Sequence, residues 1–433
     1  MSAGSVAPAA ASPPDALFHV LLALTAVIVV GQVLSRALAR IGQPPVIGEV
    51  AAGILLGPSL IGSRASAVVL PPDVAPYLGV IAELGVVLYM FLVGLDLPMP
   101  ELRSRARTTM ATASASIAAP FALGAILAVV LHPHVSATEA PLTTFVLFIG
   151  VAMSITAFPV LARILTDRGL ARTELGMLAL MAAAINDVVA WCLLALVVGI
   201  ARAEPGSGAR VAILAVTYIG LMIVAVRPAL ERLAARWDRI PAAQAAAAMF
   251  VALLASALVT ERIGIHAIFG AFLLGAIVPH DSTAAKTLNT QMRDLVTVLL
   301  LPAFFAFTGM RTRIDLLSTG TDWLLAGLIT LVATVGKFGG AFAAARLGGM
   351  RAREAAVLGA LMNTRGLMEL IVLNIGLEMG VISPSLFAMM VIMALVTTMS
   401  AAPALKLAAP QRAGASTPPP AGHEDTKLTK LTK

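Results

Sequence analysis

At 433 residues with 59% hydrophobic and only 12% charged side chains, the chain has too little polar surface to clothe a water-soluble globule, whose charged fraction is about 25%. Its net charge of +7 falls in short Lys and Arg clusters between apolar runs, not along one basic face, which argues against a nucleic-acid partner and for a lipid bilayer. The single cysteine, Cys192, lies in an apolar run beside Trp191, so it cannot form an intramolecular disulfide and reads as a small packing residue.

In chain order, residues 1–15 lack apolar periodicity and read as a disordered tail on the outer side. Apolar segments of about 20 residues, each able to cross a hydrocarbon core of ~30 Å, then recur about thirteen times. Their expected spans are 16–35, 44–61, 76–95, 108–131, 142–165, 174–201, 208–229, 242–261, 263–280, 294–310, 322–346, 354–378 and 384–408. The predicted fold is therefore all-α and polytopic, with one transmembrane domain over 16–409 and a disordered cytoplasmic tail over 410–433. Residues 1–18 contain no Lys or Arg and positive charge follows the first span, so that span is expected to stay as an anchor and not to be cleaved as a signal.

Lys and Arg are retained on the cytoplasmic side during insertion. With the N-terminus placed outside, about 22 of the 30 Lys+Arg fall inside, including Arg36, Arg40, Arg103, Arg163, Arg232 and Arg351. This predicts a multi-pass protein of the cell membrane with its N-terminus outside and its C-terminus in the cytoplasm. The second and ninth spans are an odd number apart, run in opposite directions, and can each start a five-helix inverted repeat. Leu55-Leu56-Gly57 and Leu273-Leu274-Gly275 echo one another in them.

Ionisable groups at bilayer depth cost several kcal/mol, so each one needs a reason. Asp187 lies about 13 residues from either end of span 174–201, some 20 Å at 1.5 Å per residue, which is the midplane. Lys337, Arg365 and the run Thr156-Ala157-Phe158-Pro159 fall at the same depth of three other spans. Pro159 removes a backbone donor and disturbs the preceding turn, exposing carbonyls beside the Thr156 and Ser154 hydroxyls. Asn363-Thr364-Arg365-Gly366 marks a second broken helix, with a glycine for unwinding and polar side chains for the exposed backbone.

Asp187, with Asn186 beside it, reads as the ion carrier; its bland alternative is a structural partner of Lys337. Lys337 is either a fixed counter-ion or a participant in proton exchange. Arg365 is always charged and is expected to hold helices together with Glu369 one turn later. Glu49 and Glu83 either line a pathway or bond neighbouring helices. Pro44, Pro45, Gly53, Gly57 and Pro58 read as packing and turn residues. No GxxxxGK[ST] loop is present, so no nucleotide is expected, and neither a GxSG nor a GxGD motif marks an intramembrane enzyme. An ion channel or an organic-anion carrier anchored on Arg365 remain as alternatives to a carrier that alternates its access.

Six stretches carry a family resemblance: PPVIGEVAAGILLGPSLIG (44–62), ELGVVLYMFLVGLDL (83–97), SITAFPVLARIL (154–165), AAINDVVAWCLLA (183–195), FFAFTGMRT (304–312) and LMNTRGLMELIVLNIG (361–376). Together they resemble the second branch of the monovalent cation/proton antiporter superfamily, especially plant-type cation/proton exchangers and their bacterial relatives. The resemblance implies thirteen helices in inverted repeats, a six-helix core, a separate dimerisation region and two crossed broken helices. It places Thr156, Asn186, Asp187 and Lys337 at ion-site positions and implies exchange of Na+ or K+ for protons at Asp187, with no bound cofactor and a homodimeric assembly. Electrogenic members carry two adjacent carboxylates where this chain has Asn186-Asp187, which implies electroneutral exchange. The nucleotide-binding domain of glutathione-gated potassium systems and the long tail of plant relatives are both expected to be missing.

Overall fold

The computed structural model describes residues 16–69, 71–72, 74–96, 106–135, 140–167, 170, 173–202, 208–237, 241–279 and 282–408; both expected tails lie outside the described residues. Their regular elements are helices: α1 (Ala16–Ala39), α2 (Pro45–Leu56), α3 (Pro58–Val69), α4 (Ala75–Leu95), α5 (Ala106–Val135), α6 (Leu142–Ser154), α7 (Phe158–Asp167), α8 (Glu174–Arg202) and α9 (Gly208–Leu221). They continue with α10 (Arg227–Trp237), α11 (Ala242–Ile263), α12 (Ala267–Ile277), α13 (Thr283–Leu295), α14 (Leu301–Arg311), α15 (Gly320–Leu347), α16 (Ala352–Met362), α17 (Leu367–Glu378) and α18 (Pro384–Ala408). The protein is thus an all-α, multi-pass membrane protein. Among the described residues eight helices are long and apolar enough to cross a membrane, or nine when the bent pair α2 and α3 counts as one span. The other expected spans correspond to the broken pairs α6/α7 and α16/α17 and to the shorter apolar helices α12 and α18.

Three expected spans differ in shape. In the second, α2 and α3 lie 68° apart: Gly57 is extended, Pro58 can start a helix but not continue one, and α3 is itself kinked at Gly62, whose φ is 81°. In the ninth only Ala267–Ile277 is helical, preceded by His266 in the left-handed region at φ 74°. The tenth begins earlier, in the polar helix α13, and reaches α14 through a π-helical turn at 296–300. A similar turn at 222–226 joins α9 to α10. Both turns precede a proline, Pro302 or Pro228, whose ring would clash with the carbonyl four residues back. Widening the helix there by one residue relieves the clash.

Helix packing follows an internal two-fold pattern. α5 packs on α15; α5 on α6 and α8 is matched by α15 on α16 and α18; α4 on α12 is matched by α14 on α2. Glycines set the last two crossings. A Cβ on Gly94 would lie 2.4 Å from the Phe272 carbonyl oxygen, and one on Gly309 would lie 2.4 Å from that of Val50, so neither position admits a side chain. The echoed glycines take part in these crossings: a Cβ on Gly275 would meet the Phe91 carbonyl oxygen and one on Gly57 would meet Met310. Two packing groups result: a core of α5 to α8 and α15 to α18, and a scaffold containing α1, α2, α4, α12 and α14. Cys192 lies on the exposed face of α8, so it does not fill the packing position expected of it.

On an exposed turn between α14 and α15, Arg313 donates to Asp315 at 2.7 Å and holds its carboxyl down at about 2. Ser59 of α3 donates to the same carboxylate at 2.9 Å, tying α3 to that turn.

Candidate functional site

α6 stops at Ser154 and α7 restarts at Phe158, leaving Ile155–Ala157 outside the helix. Pro159 falls in the first turn of α7, where a missing N–H costs least; its side chain is outside the described residues. α16 stops at Met362 and α17 restarts at Leu367. The two breaks cross, and Ala157 N–H donates to Thr364 O at 3.1 Å. Gly366 is needed for this approach, since a Cβ there would sit 2.9 Å from Val160 Cγ2.

Interrupted helices leave carbonyls without partners at their C-terminal ends, where the helix dipole is negative. Two cations serve the end of α6. Arg365 donates to Ala152 O at 3.2 Å and to Met153 O at 2.7 Å, and Lys337 Nζ donates to Ser154 O. Lys337 also donates to Ser116 O of α5 at 2.9 Å. It reaches that far because α15 approaches α5 through glycines on either side of it: a Cβ on Gly336 would touch Pro120 and one on Gly340 would touch the Ala115 carbonyl.

Arg365 is fully buried and also donates to Glu369 Oε2 at 2.6 Å, one helical turn on, as its spacing predicted. Thr398 of α18 accepts from Arg365 N–H at 3.1 Å and donates to Arg365 O at 2.5 Å, fixing the backbone of the break. This side of the crossing is closely bonded, with only Arg365 Nε and Glu369 Oε1 left over.

The other side is not. Asp187 on α8 is 1% exposed, and neither of its carboxylate oxygens has a hydrogen-bond partner. None of the described ion pairs joins Lys337 to Asp187, and the Phe158 backbone N–H donates to Thr156 O. Lys337 is engaged by carbonyls instead. Asn186 donates through Nδ2 to Ser116 Oγ at 2.9 Å and to Thr156 Oγ1 at 3.1 Å, while its Oδ1 has no donor. Thr156 in turn donates to Met362 O at 3.4 Å. Asn363 Oδ1, in the second break, also has no donor. Asp187, Asn186 and Asn363 therefore carry four buried side-chain oxygens without donors, two of them on the Asp187 carboxylate. A desolvated proton or a small cation is the chemical partner such a set lacks.

The structure thus gathers Asp187, Asn186, Thr156, Ser154, Lys337, Arg365, Glu369 and Asn363. The Ser154 hydroxyl is spent on Gly150 O at 2.7 Å and Ile117 O at 3.1 Å, so its contribution to the crossing is its carbonyl. Glu83 is not there: it lines a separate cavity with His266, Asn374 and Glu378. Glu49 packs beside Gly31 of α1, in the scaffold. Ser116 and Thr398 join the site without having been singled out from the sequence. For Ser116 a signal existed, because Thr109, Thr112 and Ser116 recur at helical spacing on one face of α5, and all three are buried.

Comparison with known proteins meets this geometry. The family described as sodium/hydrogen exchanger, transmembrane, matches residues 20–407. The Na(+)/H(+) antiporter NhaS4 of Synechocystis is 40% identical over 396 residues, covering 90% of this chain and 97% of that protein. Cation/H(+) antiporter 20 of Arabidopsis thaliana is 38% identical over 411 residues, and the chain spans about half of its length, 49%. The K(+)/H(+) antiporter 1 of Saccharomyces cerevisiae is 33% identical over 381 residues, 44% of that protein. Among solved structures, the sodium proton antiporter MjNhaP1 of Methanocaldococcus jannaschii has a similar fold, with a TM-score of 0.58 over 91% of this chain and 97% of that one at 14% identity.

Proposed function

The chain belongs to the sodium/hydrogen exchanger family, and from that premise we propose that it is a secondary antiporter exchanging a monovalent cation for protons by alternating access. The observation that carries this reading is the set of donor-free oxygens on Asp187, Asn186 and Asn363 where two broken helices cross. Asp187 holds either a proton or a dehydrated Na+ or K+, never both, so loading one releases the other. Asn186 and Thr156 orient the loop around it. Lys337 stands by as a fixed positive charge whose Nζ is tied to Ser116 O and Ser154 O. The opposing ion gradient supplies the energy, with no cofactor.

With one titratable carboxylate at the Asn186-Asp187 pair, exchange is one for one and electroneutral. The working orientation has the N-terminus outside and the C-terminus in the cytoplasm of a cell membrane, supported by the distribution of Lys and Arg. A homodimer, as the family resemblance implies, completes the reading. An organic-anion carrier anchored on Arg365 is disfavoured, because both terminal guanidinium nitrogens are already bonded to Glu369 and to carbonyls of α6.

The test is a proteoliposome holding a pH gradient, to which Na+, K+, Li+ or Rb+ is added. Antiport predicts that Na+ or K+ collapses the gradient saturably. Absence of any cation-dependent proton movement, or a steady current without proton movement, overturns it.

A further inference from the structure

α17 is a rigid half-helix with its two ends fastened differently. Its inner end begins at the crossing, where Thr364 O accepts from Ala157 N–H at 3.1 Å. Its outer end, 12 residues or about 18 Å away, lies against scaffold helix α14. The face between them is mostly apolar, with Phe304 and Phe307 near Ile371 and Ile375. Apolar faces in lipid slide cheaply, because no hydrogen bond is broken when they do.

Two polar rungs interrupt that face. Asn374 Nδ2 donates to Thr308 Oγ1 at 2.8 Å, and both residues are buried. One turn further out, Arg311 donates to Glu378 at 2.7 Å and to Asn374 Oδ1 at 3.3 Å, with its guanidinium carbon 5.3 Å from the Phe307 ring centroid. Asn374 and Glu378 are four residues apart on α17, and Thr308 and Arg311 are three apart on α14, so each pair presents one face. The cavity beside the rungs, lined also by Glu83 of α4, holds only about 20 Å³, about one water's worth and too little for a hydrated ion.

We propose that the Thr308–Asn374 and Arg311–Glu378 rungs form a latch that closes the face at which α14 and α17 end, and that the crossing opens to that face only when both rungs part. This rests on the antiport reading above. Because the half-helix that carries the latch also carries the second break, parting the rungs and moving the crossing are one displacement. Glu83 of α4 lines the cavity beside the rungs from the scaffold side, the side on which Arg311 stays when α17 leaves. Thr308, Arg311, Asn374 and Glu378 are therefore positioning residues of the transport cycle that do not touch the ion.

The experiment uses the full chain with Cys192→Ser, so that added cysteines are the only thiols. In a Thr308→Cys/Asn374→Cys pair, a short reversible bis-methanethiosulfonate crosslinker should lower exchange at least tenfold, and a reductant should restore it. In parallel, Ile371→Cys should label slowly with a membrane-impermeant maleimide from the latch side. Adding Arg311→Ala should raise labelling several-fold, and the exchange of charges in Arg311→Glu/Glu378→Arg should bring it back down. Crosslinked protein that exchanges at the reduced rate, or labelling that ignores Arg311, overturns the latch. If the Cys192→Ser parent moves no protons in response to any cation, the antiport reading fails instead.

Discussion

The two sides of the helix crossing have the same origin and opposite bookkeeping. Around Arg365, the open carbonyls of α6, one oxygen of Glu369 and the backbone of Arg365 find partners, with Arg365 Nε and Glu369 Oε1 left over. Around Asp187, four buried oxygens find none, three of them on α8 and one on Asn363 of the second break. Buried polar groups are normally paired, and each orphan costs about 1–3 kcal/mol. The contrast teaches that one side builds the crossing and the other is kept vacant for something that comes and goes.

The sharpest way to break this comparison is Asp187→Asn. It removes the only titratable member of the vacant side and no bond of the bonded side, so cation-dependent proton movement should vanish while the extracted protein keeps its thermal stability. Wild-type exchange in that variant would show that the vacant side is not the carrier. The opposite outcome is expected of Arg365→Ala, which uncaps α6 and leaves Glu369 buried without its partner. It should destabilise by about 3–5 kcal/mol, seen as a large fall in the melting temperature in detergent. Replacing both partners by apolar residues, Arg365→Met with Glu369→Leu, should recover part of that loss. Lys337→Ala is milder still, because it leaves two carbonyls without their donor and should cost about 1–3 kcal/mol. Its Na+ over K+ preference should stay as in the wild type, since Lys337 makes no contact ion pair with Asp187. A changed preference with unchanged melting would move Lys337 to the vacant side.

Much of this crossing was legible in the sequence, and the illegible part has a physical reason. A proline at 159 and a glycine at 366 announce broken helices because they change what the local backbone can do. Glu369 four residues after Arg365 announces an ion pair because helix geometry brings them together. The targets of Lys337 were not readable, since every residue offers a carbonyl and only tertiary packing chooses Ser116 and Ser154. The expectation of a direct Asp187 partner rested on opposite charges at one depth, which fixes height in the membrane but not distance across it. Gly57 was read as a packing and turn residue, and it is both: its backbone is extended at the bend, and a Cβ there would lie 3.0 Å from Met310 Cα of α14.

The smallest expected effect is a null one, and it tests how many charges the vacant side carries. Asn186 cannot lose a proton, so binding one monovalent cation at Asp187 displaces one proton and the loaded site crosses with the same charge in both directions. Lys337 would alter this only by releasing its own proton during the cycle; its Nζ donates to Ser116 O and Ser154 O and makes no described ion pair with Asp187. Membrane potential supplies about 2.3 kcal/mol per elementary charge per 100 mV, which is about a fifty-fold shift in an equilibrium for each net charge moved. Proteoliposomes exchanging Na+ for protons, with the potential set by a K+ gradient and valinomycin, should therefore reach the same Na+/proton distribution at every potential. The control is the initial rate with K+ outside and no Na+, which separates transport of K+ itself from its use as a clamp. A shift approaching fifty-fold per 100 mV would reject one-for-one exchange and assign the second proton to Lys337, whose replacement by Ala should then remove the shift.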